Sequence, residues 1–99
     1  MTIDKVKNGT ELTVYVKGRL DTTTAPALEN EFKEGLDGVT ELILDLKDLE
    51  YMSSAGLRVL LSTQKRMNVQ GSMVVRGANE TISEIFEITG FSDILTIQA

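Results

Sequence analysis

Apolar and polar residues alternate twice near the start of the chain, over Ile3 to Lys7 and over Thr10 to Lys17, with Asn8-Gly9 between the two runs. A period of two reads as strand, and Asn-Gly between such runs favours a type I′ turn, so the chain is expected to open with a β-hairpin. Leu12, Val14 and Val16 would share one face of the second strand. The period then changes. Ala25, Leu28, Phe32 and Leu36 recur at helical spacing, while Glu29, Glu31, Lys33 and Glu34 occupy the other positions as a solvated face. Thr22 to Thr24 offer capping hydroxyls before this helix, and Pro26 suits its first turn. After Gly38, the segment Glu41 to Asp45 encloses Leu42-Ile43-Leu44, an apolar run expected as a buried strand. A second helix is predicted from about Ser54 to Asn68, with Leu57, Leu60, Leu61 and Met67 inward. Gly71 breaks it before the short strand Met73-Val74-Val75. Asn79 can cap a third helix carrying Ile82, Ile85 and Phe86 on one stripe. Gly90 suits its C′ position, with Phe91 packing back on Phe86, and Leu95-Thr96-Ile97 makes a last short strand.

The expected order is therefore ββαβαβαβ. Each strand–helix–strand step needs a crossover, so the fold class is α/β with a mainly parallel sheet. With 99 residues and no linker or repeat, residues 1–99 read as one domain.

Composition narrows the function. There is no Cys and no His, which removes disulfides, thiol nucleophiles, Cys/His metal sites and Ser-His-Asp triads. Fifteen acids against ten basic residues give a net charge of −5. An acidic chain without a basic stripe is a poor partner for nucleic acid, whose binding is dominated by phosphate contacts. The N-terminus lacks the layout of a signal peptide, and no apolar run approaches a membrane span, so a cytoplasmic location away from membranes is expected. The Asn-x-Thr sequons at Asn8 and Asn79 then carry no consequence. No cofactor, metal site or catalytic residue is predicted. Ser62-x-x-Lys65 has the spacing of an acylating Ser-Lys pair without the other elements of such enzymes. Asp45, at a strand end, has the position of a phosphoaspartate nucleophile, but no acidic pair follows the first strand to hold Mg²⁺.

The remaining chemistry lies where the buried strand gives way to the second helix, at Ser53-Ser54-Ala55-Gly56-Leu57-Arg58. Two hydroxyls lie at a helix N-terminus, where a phosphate is favoured by free N–H groups and the helix dipole. Ala55 and Gly56 are small and are expected to leave the loop open to a partner's backbone. Arg58, one turn beyond Ser54, is placed to touch a phosphate or an acidic partner.

This stretch, with Asp45, Leu49, Tyr51, Ser54, Gly56 and Leu57, resembles the phosphorylation loop of the anti-sigma-factor antagonists, bacterial proteins built on a STAS domain. Gly18-x-Leu20-Asp21 followed by Ala25 and Leu28, and Thr89-Gly90-Phe91 near the end, match the same family in order and spacing. The resemblance implies a binding switch and not an enzyme. The unmodified protein binds an anti-sigma factor and so frees a sigma factor. The anti-sigma factor is often itself a serine kinase that inactivates the antagonist, and a serine phosphatase restores it. The family position of the phosphoacceptor, two residues before the glycine, falls on Ser54, with Ser53 as the second candidate. Asp21, Ser53, Ser54, Ala55, Gly56 and Arg58 are the expected partner-binding residues, with Asp21 either in recognition or as a loop cap. The alternative within the same fold is an adaptor domain that binds a different protein in a transporter or a larger signalling assembly.

Overall fold

A computed structural model describes residues 1–98. Strand β1 (Thr2–Asn8) pairs antiparallel with β2 (Glu11–Leu20). The connecting turn has Gly9 and Thr10 at its centre, with φ +63° at Gly9 and no positive φ at any non-glycine residue. A type I′ turn needs positive φ at both central residues. The expected I′ geometry is therefore replaced by one that asks for glycine only at the first central position. Helix α1 (Ala25–Gly35) follows, then β3 (Glu41–Asp45), β4 (Leu49–Met52), α2 (Ser54–Gln70), β5 (Ser72–Arg76), α3 (Glu80–Ile88), a 3₁₀ turn at Phe91–Asp93, and β6 (Ile97–Gln98).

The six strands form one mixed α/β sheet in the order β1-β2-β3-β5-β6, all neighbours parallel except the opening hairpin. Strand β4 is an addition to the expected order. It stands where a plain loop was expected between β3 and the second helix, and it pairs parallel with the far end of β2. Four residues with Leu49 and Met52 buried give too short a pattern to separate from a loop by periodicity.

Register explains the core. Leu12, Leu42 and Met73 lie side by side across β2, β3 and β5, and so do Val14, Leu44 and Val75. All six are buried, and they join Leu28, Phe32, Leu57, Leu60, Met67, Ile82 and Phe86 from the helices in one cluster. Leu61 is only half-buried. The alternate residues Ile43 and Val74 turn to the other face and are half-buried, as expected when one face of a sheet carries the helices.

Helix ends are tied by specific groups. Asn79 caps α3 by accepting the Ile82 N–H at 2.8 Å, as its position implied. Gly90, with φ +79°, follows the last turn of α3, and Phe91 packs against the core. Helix α2 closes the end of α1. Gln70 Nε2 donates to the Leu36 and Val39 carbonyls at 2.7 and 2.6 Å, and Arg66 Nη1 donates to the Phe32 carbonyl at 3.1 Å. Beyond α2 the chain passes so close to Thr40 that a Cβ on Gly71 would stand 1.9 Å from the Thr40 carbonyl oxygen.

Two glycines thus serve different needs, and substitution separates them. Gly9→Ala meets no atom within 4 Å and costs only the left-handed backbone, about 1–2 kcal/mol. Gly71→Ala must displace the Thr40 backbone just ahead of β3 and is expected to cost about 3 kcal/mol or more, at the upper end of overpacking effects. Urea unfolding of both variants checks the order.

Candidate functional site

The site is built where β2 and β4 end together. Leu20 is aligned with Met52, so Asp21 and Ser53 leave the sheet side by side. The Ser53 N–H donates to the Leu20 carbonyl at 2.9 Å, and the Ser53 carbonyl accepts the Leu57 N–H at 3.1 Å, the first turn of α2. Ser53 is the N-cap, with extended backbone (φ −92°, ψ 178°). Its hydroxyl makes no capping bond; Oγ is shut off from solvent and has no hydrogen-bond partner. An N-cap serine ordinarily accepts from a first-turn N–H, so the first N–H groups of α2 lack that side-chain acceptor. Ser54, the first residue of α2, is exposed. The two candidate hydroxyls, one position apart at the same helix start, differ in access.

Gly56 corrects an expectation. It is buried, not presented to a partner. A Cβ there would stand 2.8 Å from Leu20 Cγ and 2.8 Å from Met52 Cγ. Its smallness lets α2 start hard against β2 and β4, and so fixes where Ser54 points. Ala55 is half-buried beside it.

Asp21 organises the adjoining loop. Its Oδ1 accepts from the Thr23 N–H (3.0 Å), the Thr23 hydroxyl (2.8 Å) and the Thr24 N–H (3.2 Å). The Thr23 hydroxyl is the largest influence, and with the backbone donors it holds the carboxyl below the usual aspartate range despite the opposing effect of partial desolvation. Asp21 thus closes the turn just ahead of α1, whereas the capping bond expected from Thr22 to Thr24 is not made at the N-cap. Thr24 is the N-cap residue of α1 without a capping bond, its hydroxyl donating instead to the Arg19 carbonyl at 2.8 Å. Arg58 is exposed one turn along α2 and, with Thr22, Pro26 and Ala55, lines a groove between the starts of α1 and α2. Arg19 was not singled out by sequence. Its register partner on β4 is Tyr51, and its guanidinium lies 4.6 Å from the centre of that ring. No local signal could have found this pair, because the strand that supplies Tyr51 was itself unread.

Asp45 sits apart from the serines, buried at the end of β3. Oδ2 accepts from Arg76 Nε at 2.9 Å, and Oδ1 accepts from the Lys47 N–H at 3.0 Å. Burial raises its pKa, but the Lys47 N–H and the Arg76 guanidinium outweigh this, and the net shift is downward. Oδ1 thus holds the turn that leads to β4, and Oδ2 ties the end of β3 to β5. Ser62 and Lys65 are both exposed on α2. Among the described residues, no group of three or more His, Cys, Asp or Glu side chains could hold a metal ion, and no helix is long and apolar enough to cross a membrane.

Comparison with known proteins gives a consistent set. Residues 2–99 match the profile of the family described as STAS domain. The anti-sigma-B factor antagonist of Bacillus subtilis (strain 168) is 32% identical over all of this chain and 92% of its own length. The putative anti-sigma factor antagonist BtrV of Bordetella bronchiseptica is 36% identical over 98% of this chain and 84% of its own. Among solved structures, an anti-sigma factor antagonist from Mycobacterium paratuberculosis superposes with a TM-score of 0.88 at 25% identity, covering 97% of this chain and 83% of that one. The anti-sigma factor antagonist SpoIIAA in its unphosphorylated form superposes with a TM-score of 0.78 at 16% identity, covering 99% and 88%, which is a likeness of fold.

The charge at Asp45 makes a pH test. A carboxyl whose folded pKa lies below its unfolded value stabilises the fold above that value, 3.8, and the contribution fades as pH falls through the lower folded pKa. Asp45→Asn should therefore be less stable than the parent at about pH 7, and the gap should narrow by about pH 3. Urea midpoints of both proteins across that range check it; a gap that stays constant with pH would assign the loss to packing alone.

Proposed function

The chain belongs to the STAS domain family, and from that premise we propose that it is an anti-sigma-factor antagonist switched by phosphorylation of Ser54. The relatives that support this reading are named for that activity and align along nearly the whole chain. In its unmodified form the domain binds an anti-sigma factor through the serine loop, Asp21 and the start of α2. An anti-sigma factor that is also a serine kinase moves the γ-phosphoryl group of ATP onto Ser54 Oγ, which gives up its proton. ADP leaves in that step, and a serine phosphatase restores the hydroxyl by hydrolysing the phosphate ester, releasing inorganic phosphate.

The observation that carries the choice of residue is access. Ser54 is exposed at the first position of α2, whereas the Ser53 hydroxyl is occluded against the β2 and β4 ends. A phosphate on Ser54 adds about −1.5 to −2 charges at a helix N-terminus. Free N–H groups and the helix dipole tolerate it there, and Arg58, one turn on, adds a positive charge. The domain keeps its fold, and the cost falls on a partner packed against a neutral hydroxyl. A coupling of about 3 kcal/mol weakens that contact roughly a hundredfold. This chain acts as substrate and binding module; the catalytic groups belong to the kinase and the phosphatase.

Labelling with an anti-sigma serine kinase, joined to calorimetric titration of the same pair, tests the proposal. Ser54→Ala should lose phosphate incorporation and keep most of the affinity. Ser53→Ala should still be labelled. Ser54→Asp should bind about tenfold or more weakly, one carboxylate imitating a phosphate only in part. Because Ser53 and not Ser54 is the N-cap, each Ser54 variant should stay within about 0.5 kcal/mol of the parent in stability. Equal labelling of Ser54→Ala and the parent would refute the site. Equal affinity of phosphorylated and unmodified protein would refute the switch.

A further inference from the structure

The last quarter of the chain has a chemistry of its own. From Gly77 onward there is no Lys or Arg, and Glu80, Glu84, Glu87 and Asp93 account for four of the five excess negative charges of the protein. All four are exposed. None belongs to the ion pairs found among the described residues, which join Lys5–Glu31, Lys17–Asp4, Arg66–Asp37 and Arg76–Asp45. Interleaved with these acids are large apolar side chains left in water: Ile88 is 85% exposed, Ile94 47% and Ile97 37%, with Ile85 and Phe91 half-buried beside them.

Within this chain the arrangement is unfavourable. Glu80 and Glu84 are four residues apart, Glu84 and Glu87 three, so like charges face each other on one side of α3. Glu87 also lies in the last turn, where the helix dipole disfavours an anion, and that turn has no basic residue to offset it. Ile88 stands one turn beyond Glu84 and three residues beyond Ile85, so the apolar and acidic residues share one face. The buried stripe of α3, Ile82 and Phe86, is already spent on the core. Helix α3 returns antiparallel to β5 before β6 rejoins the sheet parallel.

We propose that the outer face of α3, continued by the turn Phe91–Asp93, is a second docking surface, and that its occupant is a basic amphipathic segment of a partner protein. Charge complementarity selects that occupant. A row of Lys or Arg would relieve the Glu80–Glu84–Glu87 repulsion, while an apolar row beside it would cover Ile88, Ile85 and Ile94. The surface is independent of the serine loop and does not rest on the Ser54 reading.

The test is an NMR titration of the isotope-labelled full chain with a synthetic helical peptide carrying Leu on one face and Lys on the other, beside a control peptide with Glu in place of Lys. The Lys peptide should shift the amides of Ile85, Ile88, Phe91 and Ile94 most, and bind more weakly as salt rises. Ile88→Asn, and separately Glu84→Gln with Glu87→Gln, should each weaken it about tenfold or more. The double Glu variant should unfold at the same or a higher urea concentration, since it removes repulsion, so loss of binding cannot be ascribed to unfolding. Ser54→Asp should leave the affinity unchanged. Shifts centred on the α1–α2 groove, shifts spread over all acidic residues without a centre, equal binding of the Glu peptide, or self-association of the chain through Ile88 in place of peptide binding would each overturn the proposal.

Discussion

One edge of β2 serves two partners in turn. Its first half, Glu11 to Tyr15, pairs with β3, and its end, Gly18 to Leu20, pairs with β4 across a shift in register at Gly18/Arg19. The candidate site follows from this exchange. With β3 as the only neighbour on this edge, the end of β2 would be bare and the serine segment unanchored. With β4 in place, the Leu20 carbonyl accepts the Ser53 N–H, α2 starts from a fixed point, and Asp21 emerges beside it. Gly56 is the steric condition of the same junction, since any side chain there would push α2 away from Leu20 and Met52.

The turn that makes the exchange possible is held by charge. Asp45 receives Arg76 from β5 and the Lys47 N–H from the turn itself, and Gly77 passes so close that a Cβ on it would lie 2.9 Å from the Lys47 nitrogen. A buried carboxylate is costly unless its oxygens are satisfied. Here the satisfaction is also positional, because it ties the ends of β3 and β5 to the start of the β4 turn. The stability of this corner and the placement of the serine loop are thus linked through one ion pair some distance along the chain from either serine.

The two ends of the domain carry different chemistry. At the β2/β4 end the surface is polar and mixed in charge, with Ser54, Arg58, Arg19 and Asp21, and a single added phosphate there changes its character. On α3 the surface is acidic and apolar without a basic residue.

The sequence by itself determined most of the architecture. Long periodic stretches were legible: the alternation in β2, the helical stripes of α1 and α2, the Asn79 cap and the Gly90 stop all depend on interactions within a few residues. The family was legible too, through residues at fixed spacing. Tertiary structure alone decided the rest. Strand β4 has four residues and exists only because β2 offers a free edge, a fact of pairing and not of local preference. The I′ turn expected at Asn8-Gly9 gave way because strand register put Gly9 and Thr10 at the centre. Gly56 looked like an opening for a partner and proved to be a close contact, since a glycine's neighbours across the fold leave no trace in the residues beside it. Ser53 and Ser54 carry the same hydroxyl one position apart. Spacing to Gly56 ranked Ser54 first, but the difference in access, with the Ser53 hydroxyl shut off from solvent and Ser54 exposed, is set only by how each leaves the β4–α2 junction.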